Sequence, residues 1–216
     1  MAAVVMLVGG CASPGEIRYA TGGRARESPD GLHAIETWGG RAQRVYVRPG
    51  VDLKQYDRVL LEPVVIRFGL ASASTLDSHA EALVEQTFDK AFENELRNST
   101  VHALVDEPGE GVLRVTPQLV DVVVAATPPS SPRDRLYVQS VGAVTLVLEV
   151  SDSRTHAVLV RAFDRRAIGG SGGTAFESSP ARNLYEAEVV SAQWARRLRD
   201  WLDRVQEIPP LPAETQ

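Results

Sequence analysis

Four histidines and one cysteine are the side chains of this 216-residue chain best suited to metal ligation or nucleophilic attack. His33, His79, His102 and His156 are scattered, with no HExxH or HxH spacing to bring two imidazoles to one face, so they read as solvent-facing or locally hydrogen-bonded. His79-Ala80-Glu81 has the letters of the zinc-deaminase His-x-Glu, but a lone cysteine cannot supply the cysteine pair that chemistry requires. Gly169-Gly170-Ser171-Gly172-Gly173 spells the G-x-S-x-G of a nucleophile elbow, which needs a sharp strand-to-helix turn at the serine. The next helical pattern starts several residues later, and the same stretch lacks the lysine and spacing of a phosphate loop, so it reads as a mobile connection. A hydrolase would need Ser140 or Ser171 to meet His156 and an aspartate through folding alone. Asp164-Arg165-Arg166 reads as a polar strand end with one local ion pair, worth little if exposed. The expectation is no catalytic residue, no metal site and no cofactor: the chain is not read as an enzyme.

Cys11 carries a different chemistry. Met1 to Gly10 is an uncharged, mostly apolar stretch ending in two glycines, near the lower limit of a signal-peptide core and too short to span a bilayer. Val8-Gly9-Gly10-Cys11 resembles a bacterial lipobox, in which an aliphatic residue three places before the cysteine and a small residue just before it fit the signal peptidase. Cys11 would then carry a diacylglycerol thioether and become the acylated first residue. Each buried methylene contributes about 0.8 kcal/mol, and two or more chains hold firmly where one is marginal. Ala12, rather than an aspartate, follows the cysteine, which by the Gram-negative sorting pattern favours the outer membrane. No Lys or Arg precedes the apolar run, so only the amino terminus supplies the usual positive charge.

The elements that must position any site lie downstream. Residues 11–41 are rich in glycine, proline and polar residues and read as a flexible tether, with Trp38 near its end. A single domain is expected over 42–207, and the Pro-rich tail 208–216, with Ile208-Pro209-Pro210-Leu211-Pro212, follows the last helix. Val45 to Val47 predicts a short strand; Asp57 to Phe68 predicts a second, interrupted or bulged at Pro63 and so suited to an edge or bend. Leu76, Leu83, Val84, Phe88, Phe92 and Leu96 recur at helical spacing, with Thr75 or Asp77 as cap and Asn98-Ser99 as stop. Val101–Val105, Val112–Ala126, Tyr137–Val150 and His156–Ile168 predict four more strands, the last two joined by a short polar hairpin without glycine. Thr127-Pro128-Pro129-Ser130-Ser131-Pro132 reads as a stiffened loop. A final helix from Pro180 to Gln206 places Leu184, Ala187, Val190, Trp194, Leu198 and Trp201 on one stripe, both indoles being core-type positions. On its other face Arg196 and Asp200, Arg199 and Asp203, and Asp200 and Arg204 are four apart, as in exposed ion pairs of about 0.3 to 0.5 kcal/mol each. The order β-β-α-β-β-β-β-α predicts an α+β two-layer sandwich: a mostly antiparallel sheet with two amphipathic helices on one face.

Val45-Tyr46-Val47-Arg48-Pro49-Gly50-Val51-Asp52-Leu53 with Tyr56, then Arg58 to Val64, Val105 to Gly109, Leu148 to Ser153, Asp164-Arg165-Arg166 and Trp194 to Arg199 are similar, in this order, to a bacterial lipoprotein family of unknown function (domain-of-unknown-function family 3313). The resemblance covers roughly Arg44 to Val205 and implies envelope localisation, but no activity and no site residues.

The composition fits that picture. It is 44% hydrophobic and 24% charged, ordinary for a globular chain, and the net charge of −5 argues against a general nucleic-acid binder. The leading expectation is a non-enzymatic, lipid-anchored envelope module with a membrane contact through Cys11 and a protein partner. The alternative is a periplasmic carrier of a lipid or small apolar ligand, held in a groove between sheet and helices. An enclosed apolar cavity of about 300 Å³ or more distinguishes a carrier; an exposed apolar patch or open sheet edge distinguishes an assembly module.

Overall fold

The computed structural model describes residues 18–19, 28–36, 43–67, 78–124, 137–138, 142–168, 176–177 and 180–205. In chain order these form β1 (Arg18–Tyr19), β2 (His33–Glu36), β3 (Gln43–Val47), a 3-10 turn (Leu53–Gln55), β4 (Arg58–Leu61), β5 (Val65–Arg67) and α1 (Ser78–Arg97). They continue as β6 (Ala103–Val105), β7 (Val112–Val124), β8 (Tyr137–Val138), β9 (Gly142–Asp152), β10 (Val158–Ile168), β11 (Phe176–Glu177) and α2 (Pro180–Val205). The α+β architecture and the order of the main elements are as the periodicity predicts. Pro180 opens α2, where a missing N–H costs nothing, and α1 stops before Asn98-Ser99. The helix caps Thr75 and Asp77 and the Pro-rich loop lie outside the described residues.

The sheet runs β1-β2-β3-β10-β9-β7-β4-β6, with β5 also on β7. It is mostly antiparallel, as the sequence predicts, but mixed at one flank: β4 pairs parallel with both β6 and β7, and β5 parallel with β7. The cause is α1, a crossover that returns the chain to its starting end, so that β6 runs beside β4 in the same direction. From β3 through β10 and β9 to β7 the pairing is antiparallel. β1 and β2 are additional strands within the stretch 11–41; there Leu32 is fully buried and Asp30 meets Arg161 at 2.8 Å. A separate small pair joins β8 to β11.

Period-two alternation decides the faces. Val144, Leu146, Leu148 and Val150 of β9 and Leu113, Val115 and Leu119 of β7 point into one core with Phe88, Phe92 and Leu96 of α1 and Trp194, Leu198 and Leu202 of α2. Phe88 lies beside Trp194, Glu95 beside Arg199 and Ser99 beside Asp203, so the helices run parallel over the same face. The opposite face mixes polar and aromatic contacts: Arg161 bridges Glu149 at 2.9 Å and Tyr46 meets Phe163 edge-on at 6.0 Å.

Two local solutions hold this frame. The β9–β10 hairpin has no glycine; its left-handed residue is His156 at φ 59°, a conformation that costs a non-glycine residue about 1 to 2 kcal/mol. Asp152 offsets that cost by accepting the N–H groups of Arg154 (3.0 Å) and Thr155 (2.8 Å) and the Tyr56 hydroxyl (3.0 Å). The Thr155 N–H leads in holding the Asp152 carboxyl below its ordinary value, while burial and the Asp152 bond push the Tyr56 phenol up to about 12.

The second solution is at Pro63. Leu61 lies opposite Val115 but Val65 opposite Gln118, four residues against three, so β4 and β5 are one strand with a bulge that accommodates the proline. The outward N–H groups of Val64 and Ile66 are not left open: Asp89 Oδ1 accepts the first at 2.7 Å and Glu85 Oε1 the second at 3.2 Å, so α1 blunts this sheet edge. Burial, with Glu85 and Glu93 nearby, raises the Asp89 carboxyl above its ordinary value despite the Val64 bond.

The raised value means that the folded state favours the protonated form, so the penalty for charging Asp89 grows as pH rises from the ordinary carboxylate range through the raised folded value. Asp89→Ala orphans the buried Val64 N–H and is expected to cost about 1 to 3 kcal/mol. Asp89→Asn, which keeps an acceptor without the charge, is expected to gain on the parent as pH rises from 4 to 7. Urea midpoints across that range check both; an Asn variant whose midpoint tracks the parent at every pH contradicts the assignment.

Candidate functional site

The sheet is wider than two helices can cover. α1 packs over β5 and β6 and α2 over β10, leaving the β3–β10 flank partly open beneath α2. There a cleft of about 300 Å³ lies between the helix and the sheet. Its floor is Leu146, Leu148 and Val150 of β9, Val160 and Ala162 of β10 and Val45 of β3. Its roof is Trp194, Leu198 and Trp201, the stripe that the three- and four-residue spacing of α2 predicts. Val45, Ala162 and Trp201 are only partly buried, because small side chains at 45 and 162 leave the floor low where the indole of Trp201 overhangs.

One end of the cleft is polar. Asp164 is 5% exposed and accepts the Trp194 indole N–H at 2.7 Å, Arg197 Nη1 at 3.3 Å and Arg166 Nε at 3.2 Å. A buried carboxylate is tolerable only with such donors, and here they come from both α2 and the strand itself. These donors suit Asp164 to holding α2 in place. The rim is completed by Arg204, whose Nε donates to the Asp200 carbonyl at 2.8 Å. The arrangement can seat an apolar body against the floor and meet a polar end with guanidinium.

The side chains singled out in the sequence fare differently. Asp164-Arg165-Arg166 is more than a polar strand end: Asp164 is in phase with Val160 and Ala162 and so faces the helices. That phase was the available signal, since a carboxylate at an inward position of a strand needs partners. Trp194 is core, 3% exposed, and is in contact with Phe88 at 5.8 Å between centroids. The ion pairs of α2 are not the expected ones. Arg199 turns to Glu95 of α1 at 2.7 Å and to Asp200 at 2.8 Å, and Asp203 accepts the Ser99 hydroxyl at 2.6 Å. Parallel packing brings α1 groups closer than the residues four positions away.

The histidines do not converge: His33 is buried at the start of β2, His79 is exposed on α1, and His156 is exposed in its hairpin. His102 is buried near Asp203, and burial pushes its imidazole below the ordinary value although Asp203 opposes this. Ser99, the serine nearest in sequence, accepts the His102 backbone N–H and donates its hydroxyl hydrogen bond to Asp203, the arrangement of a loop cap. Among the described residues no group of three or more His, Cys, Asp or Glu is placed to hold a metal ion. Cys11, Ser140 and Gly169 to Gly173 with Ser171 lie outside the described residues.

The family model described as a protein of unknown function, DUF3313, matches residues 27–198, from just before β2 to near the end of the α2 stripe. The chain belongs to this family. The match includes Asp164, Trp194 and Arg197 and stops before Trp201 and Arg204. No curated protein matches the sequence. Among solved structures the chain is similar to the PelC dodecamer from Paraburkholderia phytofirmans, at 12% identity over 76% of this chain and 97% of that one, with a TM-score of 0.35. It is also similar to protein XCC0632 from Xanthomonas campestris, at 13% identity over 74% and 89% with a TM-score of 0.39. A third is a candidate lipoprotein from Caulobacter crescentus CB15, at 10% identity over 73% and 95% with a TM-score of 0.34. Likeness at this level says nothing of what this family member binds.

Trp194 joins the core, the cleft roof and the Asp164 bond. Trp194→Ala is expected to cost about 3 to 5 kcal/mol through the cavity it leaves, read by chemical denaturation. An unchanged midpoint places the indole outside the core.

Proposed function

We propose that this chain is a lipid-anchored protein of the bacterial cell envelope, a non-enzymatic binding module that holds a small apolar or amphipathic ligand under α2. The observation that carries the binding reading is the cleft: about 300 Å³, floored by aliphatic side chains and closed at one end by a fully partnered carboxylate. That volume is at the small end of ligand pockets. Its apolar floor with a few convergent polar groups is the usual make-up of such sites.

Sheet geometry weighs against edge pairing as the main mode of action. The outer strand β6 has three residues and β1 two, and the exposed side of β5 is capped by Asp89 and Glu85. Among the described residues the large exposed apolar side chains Val65, Leu83, Val101 and Tyr185 sit on separate segments of the chain, where a docking face needs a contiguous patch. The envelope part of the proposal rests on Val8-Gly9-Gly10-Cys11, with acylated Cys11 as the anchor and Ala12 favouring the outer membrane, the domain facing the periplasm and meeting a protein partner there.

Two measurements test the reading. The fluorescent apolar probe phenylnaphthylamine is expected to bind the protein, and Ala162→Phe, which fills the cleft, to weaken binding at least about tenfold with an unchanged circular dichroism spectrum. Equal binding by parent and variant contradicts the cleft as the site. Mass spectrometry of the native protein is expected to find Cys11 acylated and amino-terminal, with Cys11→Ser released from membranes; a bare thiol behind an uncut leader contradicts the anchor.

A further inference from the structure

Charge around the cleft is unlike that of the chain, which carries −5 overall. Asp164 is the one carboxylate lining it among the described residues, while Arg197 and Arg204 stand on its rim and Arg166 closes on Asp164 from the strand. Three guanidiniums around one carboxylate leave a local surplus of positive charge. Arg166 and Arg197 are committed to Asp164. Arg204 is not so committed. The carboxylate four residues earlier, Asp200, is taken by Arg199 at 2.8 Å, and Arg204 uses only its Nε, on the Asp200 carbonyl. Among the described residues no carboxylate lies within ion-pair distance of Arg204, so this rim residue keeps donors to spare.

Position along the helix adds a direction. Arg197 and Arg204 are two turns apart, about 10 Å at the helical rise, with Trp201 between them as the overhanging wall. An anion at the Arg197 end would meet Asp164 and be repelled; an anion at the Arg204 end meets a guanidinium with no competing carboxylate among the described lining residues. A planar guanidinium matches the two oxygens of a carboxylate, and the small cavity suits one acyl chain rather than a diacyl lipid. Building on the binding reading above, we infer that the cleft takes a fatty acid: its chain lies between Trp201 and the floor of Leu148, Val160 and Ala162, its tail points toward Leu198, short of the polar end at Asp164, and its carboxylate sits on Arg204.

The test is calorimetric titration of the full chain with three twelve-carbon ligands below their micelle concentrations: dodecanoate, dodecanol and dodecyltrimethylammonium. Dodecanoate is expected to bind about tenfold more tightly than dodecanol, as for a hydrogen bond to a charged group at a partly wet rim, and the cation most weakly. Arg204→Gln, on an exposed position, is expected to equalise dodecanoate and dodecanol, while Lys90→Gln on α1 leaves the preference intact. Equal binding of the three by the parent, or a preference that survives Arg204→Gln, overturns the carboxylate assignment and leaves the apolar site standing. Failure of all three ligands and of phenylnaphthylamine overturns the binding reading as well. Binding that appears only after removal of residues 208–216 makes the tail the occupant and overturns both.

Discussion

A carboxylate buried between a sheet and a helix is the constraint on which this structure depends. Asp164 sits at an inward position of β10, only 5% exposed, and donors to it come from Trp194 and Arg197 of α2 and Arg166 of β10. Sliding α2 along the sheet would strand the charge, and breaking such a group is costly because the desolvation penalty remains after the partner is gone. On its other side α2 is held by α1, through Glu95 to Arg199 and Ser99 to Asp203. Fixed on both flanks, the helix cannot settle onto the low floor at Val45 and Ala162, and the cleft is what remains.

The same frame explains why the cleft lies under α2 rather than α1. The carboxylates Asp89 and Glu85 of α1 reach the outward N–H groups beside β5, so this helix is drawn onto the sheet edge at the Pro63 bulge. α1 therefore closes the parallel flank, and among the described residues the antiparallel flank toward β3 has only α2 to cover it. A site formed this way is carried by helix and strand residues, whose side chains are held by packing on both sides. It is suited to selecting a ligand by shape and by one charged contact.

Much of this was legible in the chain. The two amphipathic stripes and the alternation of Val144, Leu146, Leu148 and Val150 specify two helices on one face of a sheet, since each apolar surface must find another. Pro63 announced a break and an edge. The parallel flank was not legible, because a short strand such as β6 has the same apolar content whichever way it runs and only the crossover decides. The hairpin turn was hidden by His156 taking a conformation usually left to glycine, which Asp152 makes tolerable through contacts outside the local motif. At the site, Trp194 was readable as core, and Asp164 could have been placed by counting in twos from Val160. Arg199 reaches Glu95 with one guanidinium nitrogen and Asp200 with the other, which leaves Arg204 without its expected carboxylate, and the Glu95 contact depends on helix packing that no spacing within α2 encodes.

The most direct measurement is a double-mutant cycle between the two groups that hold α2 over the sheet, using Asp164→Ala, Trp194→Phe and the pair, with unfolding free energies from urea titration. If the carboxylate and the indole N–H hold one another as described, the two losses are coupled by about 1.5 to 3 kcal/mol, the range for a hydrogen bond to a charged group. Losses that add to within about 0.5 kcal/mol would mean that Asp164 does not hold α2, and the origin assigned to the cleft would be wrong.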